Sequence, residues 1–113
     1  MHFTNKRILV YANEDDLNLL TDYFKLFNYN NVIYYSMYES TNYEKINADE
    51  FIDNNKRKDV IVISSDSICK HFKKSVIINY DGLTYNLVTD IDKELILLNS
   101  FYEFSKKLVK EIF

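Results

Sequence analysis

At 113 residues the chain has the length of one domain that can bury its own core. It is 47% hydrophobic and 27% charged with a net charge of −3, a globular composition too mildly acidic to argue for or against a polyanionic partner. No signal-peptide pattern opens the chain, no apolar run reaches the ~18 residues of a membrane span, and the single cysteine, Cys69, excludes an internal disulfide; a cytoplasmic location and no membrane partner are expected.

Residues 8–12, ILVYA, form a continuous apolar run, as a strand covered on both faces requires. Asn13-Glu14-Asp15-Asp16 breaks it. Asn13 suits an N-cap, and the acids complement the positive end of a helix. Leu17, Leu20, Phe24 and Phe27 then recur at helical spacing. This helix is expected to close near Asn28, because Asn tolerates the left-handed conformation. Residues 32–35, VIYY, predict a second strand, followed by a loop over 36–42. Thr41 with Glu44 matches a capping box and predicts a second helix from about Asn42, with sparse apolar positions at Ile46, Phe51 and Ile52.

The polar stretch 54–58, NNKRK, leads to a second apolar run at 60–63, VIVI, the best candidate for a central strand. Ser64 to Ser67 interrupts it, and a short helix is expected over 67–74 with Ile68 and Phe72 on one face. Residues 76–80 and 83–88 read as strands around Asp81-Gly82, a two-residue hairpin signal. Thr89 to Asp92 cap a final helix over about 93–112. Its apolar stripe is widened by Phe101 and Phe104 enough to leave surface for a partner. The alternation predicts a single α/β domain over 1–113. It is a three-layer sandwich with a mixed, mostly parallel sheet, an antiparallel hairpin edge and a long C-terminal helix.

Several chemistries are excluded. Phosphate loops, dinucleotide fingerprints and nucleophile elbows need glycines, and Gly82 is the only one. Cys69 and His71 stand two apart on a predicted helix and so face different ways, which argues against both a zinc site and a Cys–His nucleophile. No cofactor and no catalytic residue are expected.

Three surfaces remain. The strand ends carry Asp15, Asp16, Ser64 and Asp66, which would form a small-ligand or divalent-cation site if the two strands are neighbours; helix capping accounts for the same acids. Residues 56–75 hold six bases and two acids, against four bases and nine acids over 1–55. Both basic clusters, Lys56-Arg57-Lys58 and Lys70, His71, Lys73, Lys74, flank the 60–63 strand, with its two opposite ends as one placement. A nucleic-acid face needs them to merge into one stripe, so nucleic acid ranks below a protein partner. Tyr34, Tyr35, Tyr38 and Tyr43 bring to one region the residue type that protein interfaces favour.

The runs ILVYANEDDLNLLTDYFKLFNY and DVIVISSD resemble the opening and the phosphoacceptor strand of response-regulator receiver domains. That family has an acidic pair after its first strand and a phosphoacceptor Asp ending its third. Here the pair falls at Ala12 and Asn13 and the phosphoacceptor at Ser64. The lysine that the family carries after its last strand has no clear counterpart. The resemblance covers about a third of the chain and implies a receiver-like fold that is not phosphorylated. The expected function is therefore a non-catalytic interaction module. It would act as an adaptor, regulator or inhibitor of another protein, or as a homodimer, through Tyr34, Tyr35, Tyr38, Tyr43, Phe101 and Phe104.

Overall fold

A computed structural model describes residues 7–26, 28–79 and 82–87, the last segment as backbone. β1 (Arg7–Ala12) leads through α1 (Glu14–Leu26) to β2 (Val32–Ser36) and the two-residue β3 (Glu44–Lys45). Then come α2 (Ala48–Asn55), β4 (Val60–Ser64), the single-turn α3 (Asp66–Cys69), β5 (Lys74–Asn79) and β6 (Gly82–Leu87). The strands lie in the order β3-β2-β1-β4-β5-β6. The first five in that order run parallel, and β6 pairs with β5 in antiparallel register from Lys74 opposite Leu87 to Asn79 opposite Gly82.

The α/β class follows from how β1 and β4 divide their apolar residues. Successive strand residues face opposite sides. Ile8, Val10, Ala12, Ile61 and Ile63 therefore point to one face, where Leu17, Leu20 and Phe24 of α1 cover them. Leu9, Tyr11, Val60 and Val62 point to the other, against Phe51 of α2, Ile68 of α3 and Phe72. Each Val, Leu, Ile or Phe side chain so buried is worth roughly 1.5–3 kcal/mol, which is why strands apolar on both faces sit at the centre of the sheet.

The ends of α1 are built as its sequence demands. Asn13 Oδ1 accepts the Asp16 amide at 2.9 Å, and Glu14, Asp15 and Asp16 fill the first turn. At the other end Asn28 takes a positive φ of 55°. The Asn28 amide donates to Lys25 O at 3.0 Å and the Tyr29 amide to Phe24 O at 2.8 Å. Phe24 and Tyr29 pack their rings 5.9 Å apart, the apolar contact that accompanies this closure.

Two expectations are corrected. Thr41 and Glu44 do not start a helix. Instead Ser40 Oγ accepts the amides of Asn42 and Tyr43, a local turn that competes with helix, and the Ile46 amide donates to Ser36 O at 3.2 Å, drawing residues 44–45 alongside β2. The second helix begins only at Ala48. The third ends at Cys69, well short of residue 74, because Lys74 and Ser75 belong to β5, with Ser75 opposite Val62. The expected C-terminal helix with Phe101 and Phe104, together with Phe27, Tyr80 and Asp81, lies outside the described residues. No helix among the described residues is long and apolar enough to cross a membrane.

Candidate functional site

A parallel sheet has a carboxyl edge and an amino edge, and here they differ in charge. β1 is flanked by β2 and β4, with α1 on one face and α2 and α3 on the other. The crevice where open α/β sheets hold ligands therefore falls at the carboxyl ends of β1 and β4. Two cavities lie there, of about 290 and 180 Å³, both lined by Tyr11, Met37 and Ser65. Asp16 lines the smaller one and is buried, whereas Asp15 and Asp66 are exposed. Ser64 is fully buried and donates its hydroxyl to Tyr11 O at 2.5 Å. The Tyr11 hydroxyl in turn donates to Ile46 O at 2.7 Å, tying the crevice wall to the segment before α2. Glu14 Oε1 accepts from Ser40 Oγ at 3.3 Å and from Asn42 Nδ2 at 2.8 Å. Among the described residues no three His, Cys, Asp or Glu are grouped to hold a metal ion, so Asp15, Asp16 and Asp66 are not brought together as a cation site.

The tyrosines separate onto different surfaces. Tyr34 packs with the core under α1 and Tyr35 with the core under α2. Tyr43 folds back onto Tyr34, ring centroids 6.2 Å apart, and donates its hydroxyl to Asn18 Oδ1 at 2.7 Å. Burial pushes the Tyr34 phenol up to about 12; Tyr43 and Asp22 add to the rise, and a hydrogen bond with Thr21 works against it. Tyr38 is 66% exposed, with its amide and carbonyl both bonded to Ser36 Oγ.

The amino edge carries the largest of these cavities, about 500 Å³. Its position follows from the shortness of α3. Val62 stands opposite Ser75, and counting back two residues brings Val60 level with Lys73. The connection entering β4 and the connection entering β5 therefore lie side by side, about one strand spacing of ~4.8 Å apart. Lys56, Arg57 and Lys58 come from the first, and Lys73 and Lys74 from the second; all five line the cavity, with Asp59 the one acid among the described lining residues. Its apolar floor is Val60 and Phe72, both buried in the core under α2.

Asn55 fixes the first connection. Its buried side chain donates Nδ2–H to Phe51 O at 2.8 Å, closing the last turn of α2, and its Oδ1 accepts from Lys58 Nζ at 3.4 Å. Lys56 Nζ lies 3.3 Å from Asp53, an exposed pair of small energetic weight. Arg57 and Lys73 are exposed. Lys70 and His71, also exposed, do not line this cleft. Asn55, Asp59 and Phe72 join this site only through the fold. A polar residue ending a helix just before a basic run is the one hint the chain offered.

Cys69 is buried. Its thiol donates toward Ser64 O at 3.4 Å and Val76 O at 3.5 Å, and burial pushes its pKa up to about 11. Such a thiol is an inert core group rather than a nucleophile. No protein-family model matches this chain, and neither does any curated protein or solved structure.

Proposed function

We propose that the chain is a non-catalytic binding module that takes phosphate-bearing anions at the amino edge of its sheet. The supporting observation is the convergence of five cationic side chains, with one acid among the described residues, on a single cleft of about 500 Å³. The two basic clusters contribute to one surface, which is what a phosphate face needs. Arg57 offers a fork for two phosphate oxygens, and the lysines offer mobile point charges. The described lining residues supply charge and no nucleophile–base pair, which supports retention of the ligand rather than turnover.

Calorimetric titrations with pyrophosphate, and with an oligothymidylate of about 20 nucleotides, at about 50 mM salt test this proposal. The double variant Arg57→Gln/Lys73→Gln loses two charge-assisted contacts and weakens whichever ligand binds at least about tenfold. Lys70→Gln, outside the cleft, shifts it less than about twofold. Failure of both probes to bind, or a double variant that binds like the parent, refutes the proposal.

A second reading keeps the protein-contact function expected from the tyrosines, with a second copy of the chain as partner. It is favoured by the short β3, which pairs only with Tyr35 and Ser36, while Val32 to Tyr34 have no strand on that side among the described residues. Exposed Tyr38 follows this edge directly. Sedimentation that shows a strict monomer at high concentration refutes it. On a receiver-like reading, the phosphoacceptor position is Ser64, and its commitment to Tyr11 O supports a version that is never phosphorylated.

A further inference from the structure

We infer that the ligand of the basic cleft is a compact oligophosphate, two or three adjacent phosphoryl groups either free or carried on a nucleoside, and not a nucleic acid polymer. This rests on the proposal that the cleft binds phosphate, and it narrows the ligand by three observations.

The first is size. A sphere of about 500 Å³ is roughly 10 Å across, in the range of small-ligand pockets and far short of a backbone track. Among the described lining residues five bases stand against Asp59, with Lys56 also paired to Asp53, which leaves the space net positive and suited to two or three linked phosphates.

The second is what surrounds it. A polymer needs cations in a continuing stripe, because each strand presents a phosphate at every step. Leading up to the cleft, α2 carries Asp49, Glu50 and Asp53. Arg7, opposite Val60 in the neighbouring strand, donates its Nε–H to Asn31 Oδ1 at 3.2 Å. Lys25 lies on α1, on the other face of the sheet, and Lys45 Nζ is paired with Glu39 at 3.3 Å.

The third is the absence of a base-stacking platform among the described lining residues. Single-stranded nucleic acid is held largely by bases stacked on exposed aromatic rings. The one aromatic residue among the described lining residues, Phe72, is 7% exposed, with its ring held 5.8 Å from that of Phe51. Among the described residues the lining offers charge for phosphate and no exposed ring on which a base would stack.

The experiment is a titration of the intact chain with orthophosphate, tripolyphosphate, ATP, GTP and oligothymidylates of one to about 20 nucleotides, followed by calorimetry at two salt concentrations. Tripolyphosphate is expected to bind at least about tenfold more tightly than orthophosphate, with ATP and GTP within about threefold of tripolyphosphate and of each other. Arg57→Gln/Lys73→Gln abolishes that gain and Lys70→Gln does not. A nucleoside triphosphate that exceeds tripolyphosphate by more than about tenfold assigns the nucleoside-borne source. An oligothymidylate that outbinds tripolyphosphate more than about tenfold, with affinity still rising beyond a few nucleotides, overturns the compact ligand and leaves the phosphate cleft standing. No binding by any probe, or binding indifferent to the double substitution, overturns both.

Discussion

Phe51→Ala is the sharpest test of how α2 is held in place. Phe51 is fully buried and is the one buried apolar residue of this eight-residue helix. A helix of that length has little stability of its own in water, so its position depends on what it buries. The Phe51 ring stacks on Tyr11 at 4.6 Å and 16°, meets Tyr35 edge-on at 6.1 Å, and lies 5.8 Å from Phe72. Truncating a buried Phe costs about 3–5 kcal/mol, and three ring contacts of about 0.5–1.5 kcal/mol each place this site in the upper half of that range. A domain of this length holds roughly 6–17 kcal/mol in total, so most molecules stay folded. The chain has no Trp, and far-ultraviolet circular dichroism in urea is the suitable signal. With a slope of about 1.3–1.5 kcal/mol/M, the midpoint falls by roughly 3 M at unchanged slope. Phe51→Leu, which keeps most of the volume, costs only about 1–1.5 kcal/mol. A loss below about 1 kcal/mol for the alanine variant would refute the claim that Phe51 anchors the helix leading into the basic cleft.

Two other expectations concern single residues. Asn28→Gly is neutral to slightly stabilising, since Gly takes a φ of 55° without strain, while Asn28→Val costs about 1–2 kcal/mol; thermal unfolding of the pair separates them. Cys69 bears on alkaline stability. Its folded pKa of about 11 lies above the ordinary 9.0, so the neutral thiol stabilises the fold fully below pH 9, and that contribution is lost as pH rises through 11. The stability of Cys69→Ala should therefore fall less steeply than that of the parent between these limits, and a thiol reagent at pH 8 should modify the parent only at the rate of unfolding. Rapid labelling of native protein would contradict the burial.

The parts of the fold that were legible in the sequence are those set by local pattern. The runs 8–12 and 60–63 are apolar on both faces, and only a central strand under helices on both sides can use them. Asn13 and Asn28 bracket α1 with residues whose capping geometry is intrinsic. The errors came where a distant partner decided. Thr41 and Glu44 have capping-box spacing, yet the Ile46 amide finds Ser36 O ten residues back, and a pairing with β2 replaces a helical turn. The cleft was illegible for the same reason. Lys56 to Lys58 and Lys73 to Lys74 share an edge only because α3 stops at Cys69 and the chain turns into β5 beside β4. At the carboxyl edge the acids were visible but their use was not: Glu14, a first-turn acid of α1, also holds the loop at Ser40 and Asn42.

The remaining question is whether the amino-edge cations serve a ligand or the fold. α2 ends at Asn55 with Lys56 closing it, so its negative end approaches the cleft, and cations there can serve the helix dipole. That dipole amounts to about half a charge and its effect fades within one turn, so it accommodates about one of the five bases. The others repel one another. At roughly 10 Å each pair costs about 0.4 kcal/mol in water before screening, and among the described lining residues Lys73 faces four repulsions, that of Lys56 offset by its partner Asp53, against one attraction from Asp59. Lys73→Gln should therefore raise stability by up to about 1 kcal/mol at low salt, and the gain should vanish near 1 M salt, where the screening length falls to about 3 Å. A cation kept for the dipole would give the opposite sign, a loss of about 0.3–1 kcal/mol. Tripolyphosphate should reverse the order of the two proteins, because a ligand stabilises the form that binds it more tightly by RT ln(1 + [L]/Kd). Urea midpoints for Lys73→Gln and the parent, at two salt concentrations and with and without tripolyphosphate, read both signs. A variant less stable than the parent at low salt, with no crossover on adding ligand, assigns these lysines to the fold and removes the case for a site.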